Sequence, residues 1–424
     1  MKILHICTNN RGGAGKAAGR LHYGLKSIGV DSGMLLLHGD VTHDGSEDII
    51  EFTRKRSPIK RVIDKIYSEY IIAEYGAYKK TRPHGFELFS NDRTIYDIGA
   101  HPMVKACDLV NLHWIAGMIN HSKFFSKIRS KPVVWTLHDF NPITGGCHIP
   151  VECTKYETGC GSCPQLGSND PDDLSRRIFL RKEGAYKGCE IAVVAPSGYM
   201  ADRVKKSALF KNFKIYTIPH GLPGSVFKKR DKNLSRDLLG LPRDKTLILL
   251  RPNHTIENKG FKYLLEALRI IKDRTSRPEI ALVVLGPKKD PDILSKETGY
   301  PVYQPGYIQD EDMLFAAYSS CDLTVVPSLQ EIFGLTCLES MACGTPVVGS
   351  KAGEMIEMIM PYKTGLLADP KDIKDLADKI EYMITRPKER EAMGEEARNT
   401  AERSYTLDAQ ARSYLNLYET LLKK

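Results

Sequence analysis

Short runs of apolar residues alternate along the chain with longer stretches in which apolar residues recur every three or four positions. The first pattern is typical of a buried β-strand, and the second is typical of an amphipathic helix. The first half has predicted strands near 2–7, 33–37, 108–112, 132–137, 191–195 and 214–218, and its clearest helices over 14–28 and 58–74. Because strands that alternate with helices form parallel sheets, we expect an α/β fold.

A second series of the same kind begins near residue 246. Its strands are predicted in TLILLR, ALVVLG, PVYQPGYI, LTVVPS and PVVGS, and its helices over 259–274, 310–321, 333–343 and 372–386. The segment 218–237 between the two series is rich in Pro, Gly and charge, which is typical of a domain crossing. The pattern predicts two Rossmann-like domains, roughly 1–225 and 240–400, followed by an amphipathic helix over 407–422.

The positive charge of the chain is concentrated in its first half. Residues 1–230 carry 34 Lys and Arg against 22 Asp and Glu, a formal charge of +12, whereas residues 231–424 carry 27 against 30, or −3. This difference favours an acidic partner for the first half, such as a phosphorylated ligand or an anionic membrane. No DNA- or RNA-binding motif accompanies the charge, so we expect no nucleic acid partner.

The apolar runs are too short for membrane insertion or export. None approaches the roughly 18 uncharged apolar residues of a membrane span. The run after Lys2 is broken by His5 and is too short for the core of a signal peptide. Six scattered cysteines fit buried thiols in a reducing compartment. We therefore expect a soluble, cytoplasmic protein.

Glycines follow the first predicted strand and open the first predicted helix. Gly12 and Gly13 let the backbone approach a phosphate at a helix N-terminus, where amides and dipole favour an anion. The run is neither a Walker A motif nor G-x-G-x-x-G, because Asn10 and Ala17 break the first pattern and the glycine spacing breaks the second. The alternative interpretation is a simple tight turn.

Polar residues follow two further strands of the first series. His113 comes directly after DLVNL, and His138 and Asp139 follow KPVVWTL. The carboxyl ends of parallel strands are where α/β folds place ligands. Two histidines at two strand ends favour a ligand site over structural histidines, although either one alone would be ambiguous.

The second series carries two cations after its first strand. Arg251 and Lys259 flank a strand-end loop and have the charge to clamp a pyrophosphate. A solvated surface pair is the alternative interpretation of these two residues.

The most informative segment is PSLQEIFGLTCLESMACGTPVVGS, residues 327–350. Glu331 lies at the predicted loop tip, and Glu339 lies eight residues later within a helix that begins at Phe333-Gly334-Leu335. Amides at that helix start can hold a phosphate. The two carboxylates can accept hydrogen bonds from hydroxyl groups, so the segment favours a polyhydroxylated ligand.

This segment resembles the Glu-x7-Glu signature of glycosyltransferase family 4, whose members are retaining enzymes of the GT-B fold. The pattern E-x-F-G-L-x-x-L-E-x-M-A-C-G-x-P-V-V is matched nearly throughout. Other segments of the chain occur in the same order as in members of this family. They are the glycine-rich first loop, DLVNLHW, SGYM at 197–200, IPHGL, the N-K-G of 258–260 and PGYI at 305–308. The resemblance implies two Rossmann-like domains with an interdomain active-site cleft, and a closing helix, 407–424, that crosses back to the first domain.

For the second domain, the resemblance implies a nucleotide-sugar site. Glu331 would bind hydroxyls of the donor sugar and Glu339 the ribose. Arg251 and Lys259 would hold the diphosphate, although the family's Gly-Arg is Leu250-Arg251 here. Phe333, Gly334 and Leu335 would line the donor site.

For the first domain, the resemblance places Gly12 and Gly13 against the donor phosphate and sugar. His113 would hydrogen-bond the sugar near its anomeric centre, and His138 and Asp139 are candidates on the acceptor side. The donor's own β-phosphate would act as the base, so no catalytic cofactor or metal is expected.

The resemblance thus implies transfer of a sugar, most often from a UDP-sugar, to a hydroxyl with retention of anomeric configuration. The expected acceptor is a glycan or lipid-linked oligosaccharide of surface polysaccharide synthesis. A nucleotide-sugar hydrolase or phosphorylase on the same fold and an inactive, zinc-bearing binding protein are the alternatives. The sequence gives no oligomeric state.

Four cysteines occur within the segment TGGCHIPVECTKYETGCGSCPQL, residues 144–166. Cys147, Cys153, Cys160 and Cys163 can supply the four thiolates of a tetrahedral structural zinc site. Free thiols or disulfides are the alternatives. The segment, with the HD before it and CPQL within it, looks like a family 4 subgroup that acts in exopolysaccharide synthesis.

The segment 52–82 combines nine Lys and Arg with an apolar stripe at helical spacing. The stripe consists of Ile59, Val62, Ile63, Ile66, Tyr67 and Tyr70. A basic amphipathic helix with aromatic residues favours peripheral docking of 54–72 to an anionic membrane at its cytoplasmic face. The alternative is a stripe that packs into the core behind a solvated basic face.

Overall fold

The computed structural model describes residues 1–39, 48–54, 56–84, 88–251, 257–274, 279–286, 291–306, 308 and 310–423. Lys55 of the basic segment and Tyr307 of the predicted strand 301–308 lie outside these residues. The chain divides into two compact units, which are Met1–Gly221 together with Leu407–Lys424, and Leu222–Thr406.

The first unit is built on a parallel sheet with the strand order β3-β2-β1-β4-β5-β6-β7. Its strands are β1 Lys2–Cys7, β2 Asp31–Leu36, β3 Ile49–Glu51, β4 Leu109–Leu112, β5 Val133–Thr136, β6 Ile191–Ala195 and β7 Lys214–Thr217. Its helices before the crossing are α1 Gly12–Ser27, α2 Pro58–Gly76, α3 Pro102–Ala106, α4 His121–Lys127, α5 Leu174–Tyr186 and α6 Gly198–Lys206. The central strands are buried along nearly their whole length, as expected for a sheet covered on both faces.

The second unit is built on a parallel sheet with the strand order β10-β9-β8-β11-β12-β13. Its strands are β8 Thr246–Leu250, β9 Ile280–Leu285, β10 Val302–Gly306, β11 Leu323–Val326, β12 Val347–Ser350 and β13 Gly365–Ala368. Its helices are α7 Lys232–Leu238, α8 Phe261–Asp273, α9 Pro291–Thr298, α10 Glu311–Ser320, α11 Leu335–Ala342, α12 Met355–Met358, α13 Ile373–Thr385 and α14 Pro387–Ser404.

Both sheets reverse their strand order at one point. In the first unit β1 pairs with β2 on one side and β4 on the other, and in the second unit β8 pairs with β9 on one side and β11 on the other. Ligands of open α/β sheets bind at the carboxyl ends of the strands at such a switch point. The edges that follow β1 and β4, and β8 and β11, are therefore the places to look for a site.

The last helix, α15 Leu407–Leu422, belongs to the first unit. The Tyr418 hydroxyl accepts a hydrogen bond from Asn111 Nδ2 at 2.7 Å. The Tyr414 hydroxyl lies 2.9 Å from Thr136 Oγ1, which in turn donates to Asn111 Oδ1 at 3.0 Å. This buried network ties α15 to the ends of β4 and β5, close to where His113 and His138 follow.

The predicted elements agree with the structure to within about three residues at their ends. The sequence pattern missed the short strands β3 and β13 and the helices α7, α9, α12 and α14. The sequence of α14 is strongly polar, so its apolar periodicity is weak. Within the described chain, no helix combines the length and the apolar character needed to cross a bilayer.

Candidate functional site

At the switch point of the second unit, Glu339 lies at the centre of a buried polar cluster. It is on α11 and is 3% exposed. Glu339 Oε2 accepts from Arg251 Nη1 at 3.1 Å and from the Tyr318 hydroxyl at 3.1 Å. Burial, together with the charge of Glu339, raises the pKa of Tyr318 well above its usual value, so the phenol keeps its proton and acts as a donor. Arg251 is thereby fixed at the end of β8.

Glu331 forms a second cluster beside the same strand ends. Its Oε1 accepts from Lys259 Nζ at 2.7 Å and from Ser328 Oγ at 2.8 Å. The segment before Lys259 is bonded to the Glu331 loop, because Asn258 Nδ2 donates to the Gln330 carbonyl at 3.0 Å. The structure thus brings each predicted diphosphate cation into contact with one of the two predicted sugar-binding carboxylates.

Two glycines hold the loop that carries Glu331. A Cβ at Gly260 would lie 1.9 Å from the Pro327 carbonyl oxygen, and a Cβ at Gly353 would lie 1.5 Å from that of Glu331. Both glycines have left-handed backbone angles, with φ of +68° and +57°. No other residue type fits at such distances without moving the loop, so these glycines fix where Glu331 stands.

The same loop leads directly into α11. Gly334 is the N-cap residue, with φ of 84° and ψ of 53°, and Leu335 is the first helical residue. Phe333 is buried in the apolar core of this unit. The first amides of a helix have no intrahelical acceptor and favour an anion. The arrangement offers amide donors, two cations and two carboxylates, which suits a ligand with both phosphate and hydroxyl groups.

At the switch point of the first unit, α1 begins directly after β1. Gly12 has φ of +68°, and a Cβ there would meet no atom within 4 Å. The N-terminus of α1 has no side-chain cap and no acidic residue in its first turn. Gly13 stands in that turn. This helix start, like that of α11, is suited to a phosphate.

A row of histidines extends from β1 to the residues that follow β4 and β5. His113 Nε2 is 2.9 Å from His5 Nδ1, and His113 Nδ1 is 3.0 Å from His138 Nε2. The His138 ring stacks on that of His220 at 5.2 Å. Burial lowers the pKa of His5 and His113 far below 6.5 and that of His138 to about 4, so the row is neutral at pH 7. Each neutral imidazole donates one hydrogen bond and accepts another.

His113 therefore uses both ring nitrogens within the row. Contact with a sugar requires one of its partners to give way, and His138 is the more exposed of the two. Asp139 lies in a separate network, where its Oδ2 accepts from Trp114 Nε1 at 2.7 Å and contacts His148 Nδ1 at 2.5 Å. These contacts make Asp139 a residue that holds the loop after β5.

The four clustered cysteines surround one small cavity. All four are free thiols. Among the described side chains, no three of His, Cys, Asp or Glu already stand at metal-ligand separations, so a formed zinc site is not observed.

The apolar stripe of α2 is exposed, contrary to the core alternative. Its five members Ile59, Val62, Ile63, Ile66 and Tyr70 are between 54% and 74% exposed. The sixth predicted member, Tyr67, is half-buried and lies beside Lys123. Arg54 and Arg56 do not share the exposed face, because both pair with Asp64 at 3.2 and 2.7 Å.

Three contributors to these sites were missed by the sequence analysis. Tyr318 and Gly353 are ordinary residues in their local patterns, and only the folded contacts reveal them. His5 carried a signal, because a histidine in the middle of a buried strand has to find a polar partner.

Comparison with known proteins supports a glycosyltransferase. Residues 234–400 match the family model "Glycosyl transferases group 1". The chain is 27% identical over 289 residues to an uncharacterized glycosyltransferase of Methanocaldococcus jannaschii, which covers 65% of this chain and 71% of that protein. It is 32% identical over 187 residues to the D-inositol 3-phosphate glycosyltransferase of Arthrobacter sp. (strain FB24), which covers 42% of this chain. The chain spans 44% of that relative's length.

Solved structures confirm the predicted fold. Sucrose-phosphate synthase from Thermosynechococcus elongatus has a TM-score of 0.66 at 19% identity and covers 100% of both chains. Anabaena HepE in complex with UDP has a TM-score of 0.64 at 16% identity and covers 99% of this chain and 100% of its own. The chain therefore has the GT-B fold, with two parallel-sheet, Rossmann-like domains.

The contact between Gly353 and Glu331 leads to a stability prediction. Gly353→Ala should lower the free energy of unfolding by about 1–3 kcal/mol more than a matched left-handed glycine, because its Cβ meets a backbone carbonyl. Gly29→Ala is the matched control, since Gly29 has φ of +83° and open space around it. Chemical denaturation of both variants measures the difference. Equal losses would show that the loop adjusts freely.

The neutral histidines lead to a pH prediction. Below the ordinary pKa of 6.5 the unfolded chain takes up protons that the folded row does not, so the free energy of unfolding should fall as the pH drops from 6.5 towards 4. His138 alone should account for about 2 kcal/mol between pH 7.5 and pH 5. Urea denaturation at both pH values should show a smaller loss in His138→Gln, and an unchanged loss in the exposed control His38→Gln. The same pH dependence in wild type and His138→Gln would contradict the assignment.

Proposed function

We propose that this protein is a retaining glycosyltransferase of family 4 that moves a sugar from a UDP-sugar to a hydroxyl of a glycan acceptor. The observation that carries the proposal is the double pairing at the switch point of the second unit. There Lys259 meets Glu331 and Arg251 meets Glu339, inside the segment that matches group 1 glycosyl transferases. This set supplies the charges for a diphosphate and the acceptors for a sugar and a ribose.

The pairing suggests how a donor is received. Without a donor, each cation is neutralised by a carboxylate, which lowers the cost of keeping four charges near one strand edge. A diphosphate competes for Lys259 and Arg251 because it is more highly charged than a carboxylate. Glu331 and Glu339 are then released to accept hydrogen bonds from hydroxyl groups. Donor binding is an exchange of partners rather than the burial of unpaired charge.

The two carboxylates differ in burial, and this difference supports different roles for them. Glu339 is deeply buried and is still held by Tyr318 when Arg251 turns to the diphosphate, which suits a constant grip on the ribose. Glu331 is 18% exposed at the loop tip and is held by Ser328 and Lys259, which suits contact with the reacting sugar. Two cations and helix amides can stabilise the leaving diphosphate in the way a metal does elsewhere.

The first unit contributes through the residues that the resemblance singles out. Gly12 and Gly13 offer a helix start for a phosphate, and His113, which is neutral at pH 7, can donate one hydrogen bond to the sugar once His138 moves aside. The donor's β-phosphate serves as the base. We assign the acceptor to a lipid-linked oligosaccharide of surface polysaccharide synthesis, because the cysteine-rich loop resembles exopolysaccharide enzymes and the first half is basic.

We also propose that α2 docks on an anionic membrane, which would bring the enzyme to a lipid-linked acceptor. The exposed stripe runs along one helix face, and Lys60 is exposed beside it, whereas Arg61 and Lys65 are exposed on the side of the helix that carries Ile72. Apolar residues inserted at the headgroup level with cations beside them are the features of an interfacial helix.

The donor site is tested by substitution of the two carboxylates. Glu331→Ala should reduce kcat by about 10²-fold or more, because it acts where charge develops in the transition state. Glu339→Ala should mainly raise KM and abolish the thermal shift produced by a UDP-sugar. A donor present at about 100 times its dissociation constant raises the free energy of unfolding of the protein by roughly 2.7 kcal/mol, which a thermal shift detects. GDP- and ADP-sugars are the controls that test whether the site selects uridine as the base.

Several results would contradict the proposed reaction. Wild-type kcat in Glu331→Ala would remove that residue from the chemistry. Loss of donor sugar without any acceptor, or only with phosphate, would instead support a hydrolase or phosphorylase. An inverted anomeric configuration in the product, read by proton NMR, would exclude a retaining enzyme.

Membrane docking is tested by sedimentation with anionic vesicles. Wild type should bind and be released by salt, and Ile63→Asp should stay folded by circular dichroism but remain in solution. Ile72→Asp is the matched control, because Ile72 is 61% exposed yet lies on the other side of the helix. Replacing Lys60, Arg61 and Lys65 with Gln should weaken binding. Equal binding by Ile63→Asp and wild type would contradict docking through this stripe.

A further inference from the structure

The loop between β5 and α5 in the first unit holds four cysteines that sugar transfer does not use. Cys147, Cys153, Cys160 and Cys163 all line one cavity of about 20 Å³. Phe89 and Tyr156 also line it. The four thiols come from three different parts of the loop and face the same space, which is the arrangement of a shared ligand rather than of two separate pairs.

A hydrogen-bond donor is directed at one of these sulfur atoms, because the Gly145 backbone N–H donates to Cys160 Sγ at 3.2 Å. Burial raises the pKa of the Cys163 thiol, and the backbone amides of Leu166 and Gln165 oppose that rise. The Thr144 hydroxyl donates to the Cys147 carbonyl oxygen at 2.7 Å, which holds the backbone beside that thiol. Amides directed at a sulfur atom stabilise a thiolate rather than a thiol, and they are the usual second layer around a metal-bound cysteine.

A buried cation stands beside the same thiols. Lys182 on α5 is 0% exposed, and its ammonium group donates to the Asn141 and Thr144 carbonyls at 2.5 and 3.1 Å. The carboxylates of Asp92 and Asp139 act on its charge more strongly than the nearby thiols of Cys147 and Cys160. Lys182 nevertheless places a cation near the cavity, and a nearby cation favours a thiolate over a thiol.

The backbone of the loop is shaped to bring the sulfurs together. Gly159, Cys160, Gly161 and Ser162 all have positive φ values, of 133°, 57°, 105° and 43°. A Cβ at Gly161 would lie 2.3 Å from the Pro171 carbonyl oxygen. Left-handed angles are strained for residues with a side chain, such as Cys160 and Ser162, and persist only when other interactions impose them.

We propose that these four cysteines bind one structural Zn²⁺ as a tetrahedral thiolate site. The metal displaces four thiol protons to give a Zn(Cys)₄ group of net charge −2, next to the buried Lys182. The thiols do not yet stand at metal-ligand separations among the described side chains, so binding turns them inward over the cavity. The metal would hold the loop that follows His138 and has no part in the transfer chemistry itself.

The proposal is tested on the full chain, purified with a thiol reductant and without chelator. Elemental analysis should find about one zinc per chain, and a mercurial reagent should release it to a colorimetric indicator. Cys160→Ser and Cys163→Ser should lose the metal. Cys189→Ser is the matched control, because Cys189 is a half-buried free thiol outside the cluster, and it should retain the metal. Replacement by Co²⁺ should give the visible bands of a tetrahedral, sulfur-ligated ion.

Three results would overturn the zinc site. The first is metal-free wild-type protein whose four thiols react with iodoacetamide while it is folded. The second is a disulfide among the four, found by mass spectrometry of the native protein and lost when the protein is reduced. The third is zinc that remains in soluble Cys160→Ser and Cys163→Ser. If these variants do not fold, the metal content, mercurial release and Co²⁺ spectrum of the wild type decide the question alone.

Discussion

The loop between β11 and α11 passes closely between two other backbone segments, and the candidate donor site depends on this constraint. Gly260 admits the Pro327 carbonyl on one side, and Gly353 admits the Glu331 carbonyl on the other. With the loop fixed at both points, Glu331 reaches Lys259, and the chain enters α11 with Glu339 facing Arg251. A side chain at either glycine would move the loop, and the movement would displace Glu331 from Lys259 and Glu339 from Arg251.

The two units hold their polar groups in different ways. The second unit keeps four charges in compensated pairs, whereas the first unit keeps a row of histidines without charge. Both solutions avoid burying an unpaired charge. The difference matters for binding, since the ion pairs can exchange partners with a highly charged ligand, while a neutral histidine row can only exchange single hydrogen bonds. The stronger attraction for a diphosphate therefore lies in the second unit.

The sequence predicted what depends on the strand pattern. Arg251, Glu331, His113 and Gly12 follow strand ends, and parallel sheets bring strand ends to one edge, so the grouping of each set could be expected. Contacts that depend on tertiary approach could not. Gly353 touches Glu331 from a different loop, and Tyr318 reaches Glu339 from the neighbouring helix α10, with nothing in the local pattern to mark them. Periodicity likewise predicted the apolar stripe of α2, but it could not predict whether another part of the chain covers that stripe.

The exposure of that stripe also changes the balance of forces expected at a membrane. Six clustered cations in the sequence suggest binding dominated by charge. In the structure Arg54 and Arg56 are engaged by Asp64, and Lys55 lies outside the described residues. Of the remaining cations, Lys60 lies beside the stripe and contributes about 1 kcal/mol near an anionic surface, whereas Arg61 and Lys65 lie on the side of the helix that carries Ile72 and are farther from that surface. Full burial of a single Ile or Val side chain contributes about 1.5–3 kcal/mol. With four such side chains exposed on one face, apolar insertion rather than charge must supply most of the affinity, and charge mainly selects an anionic surface.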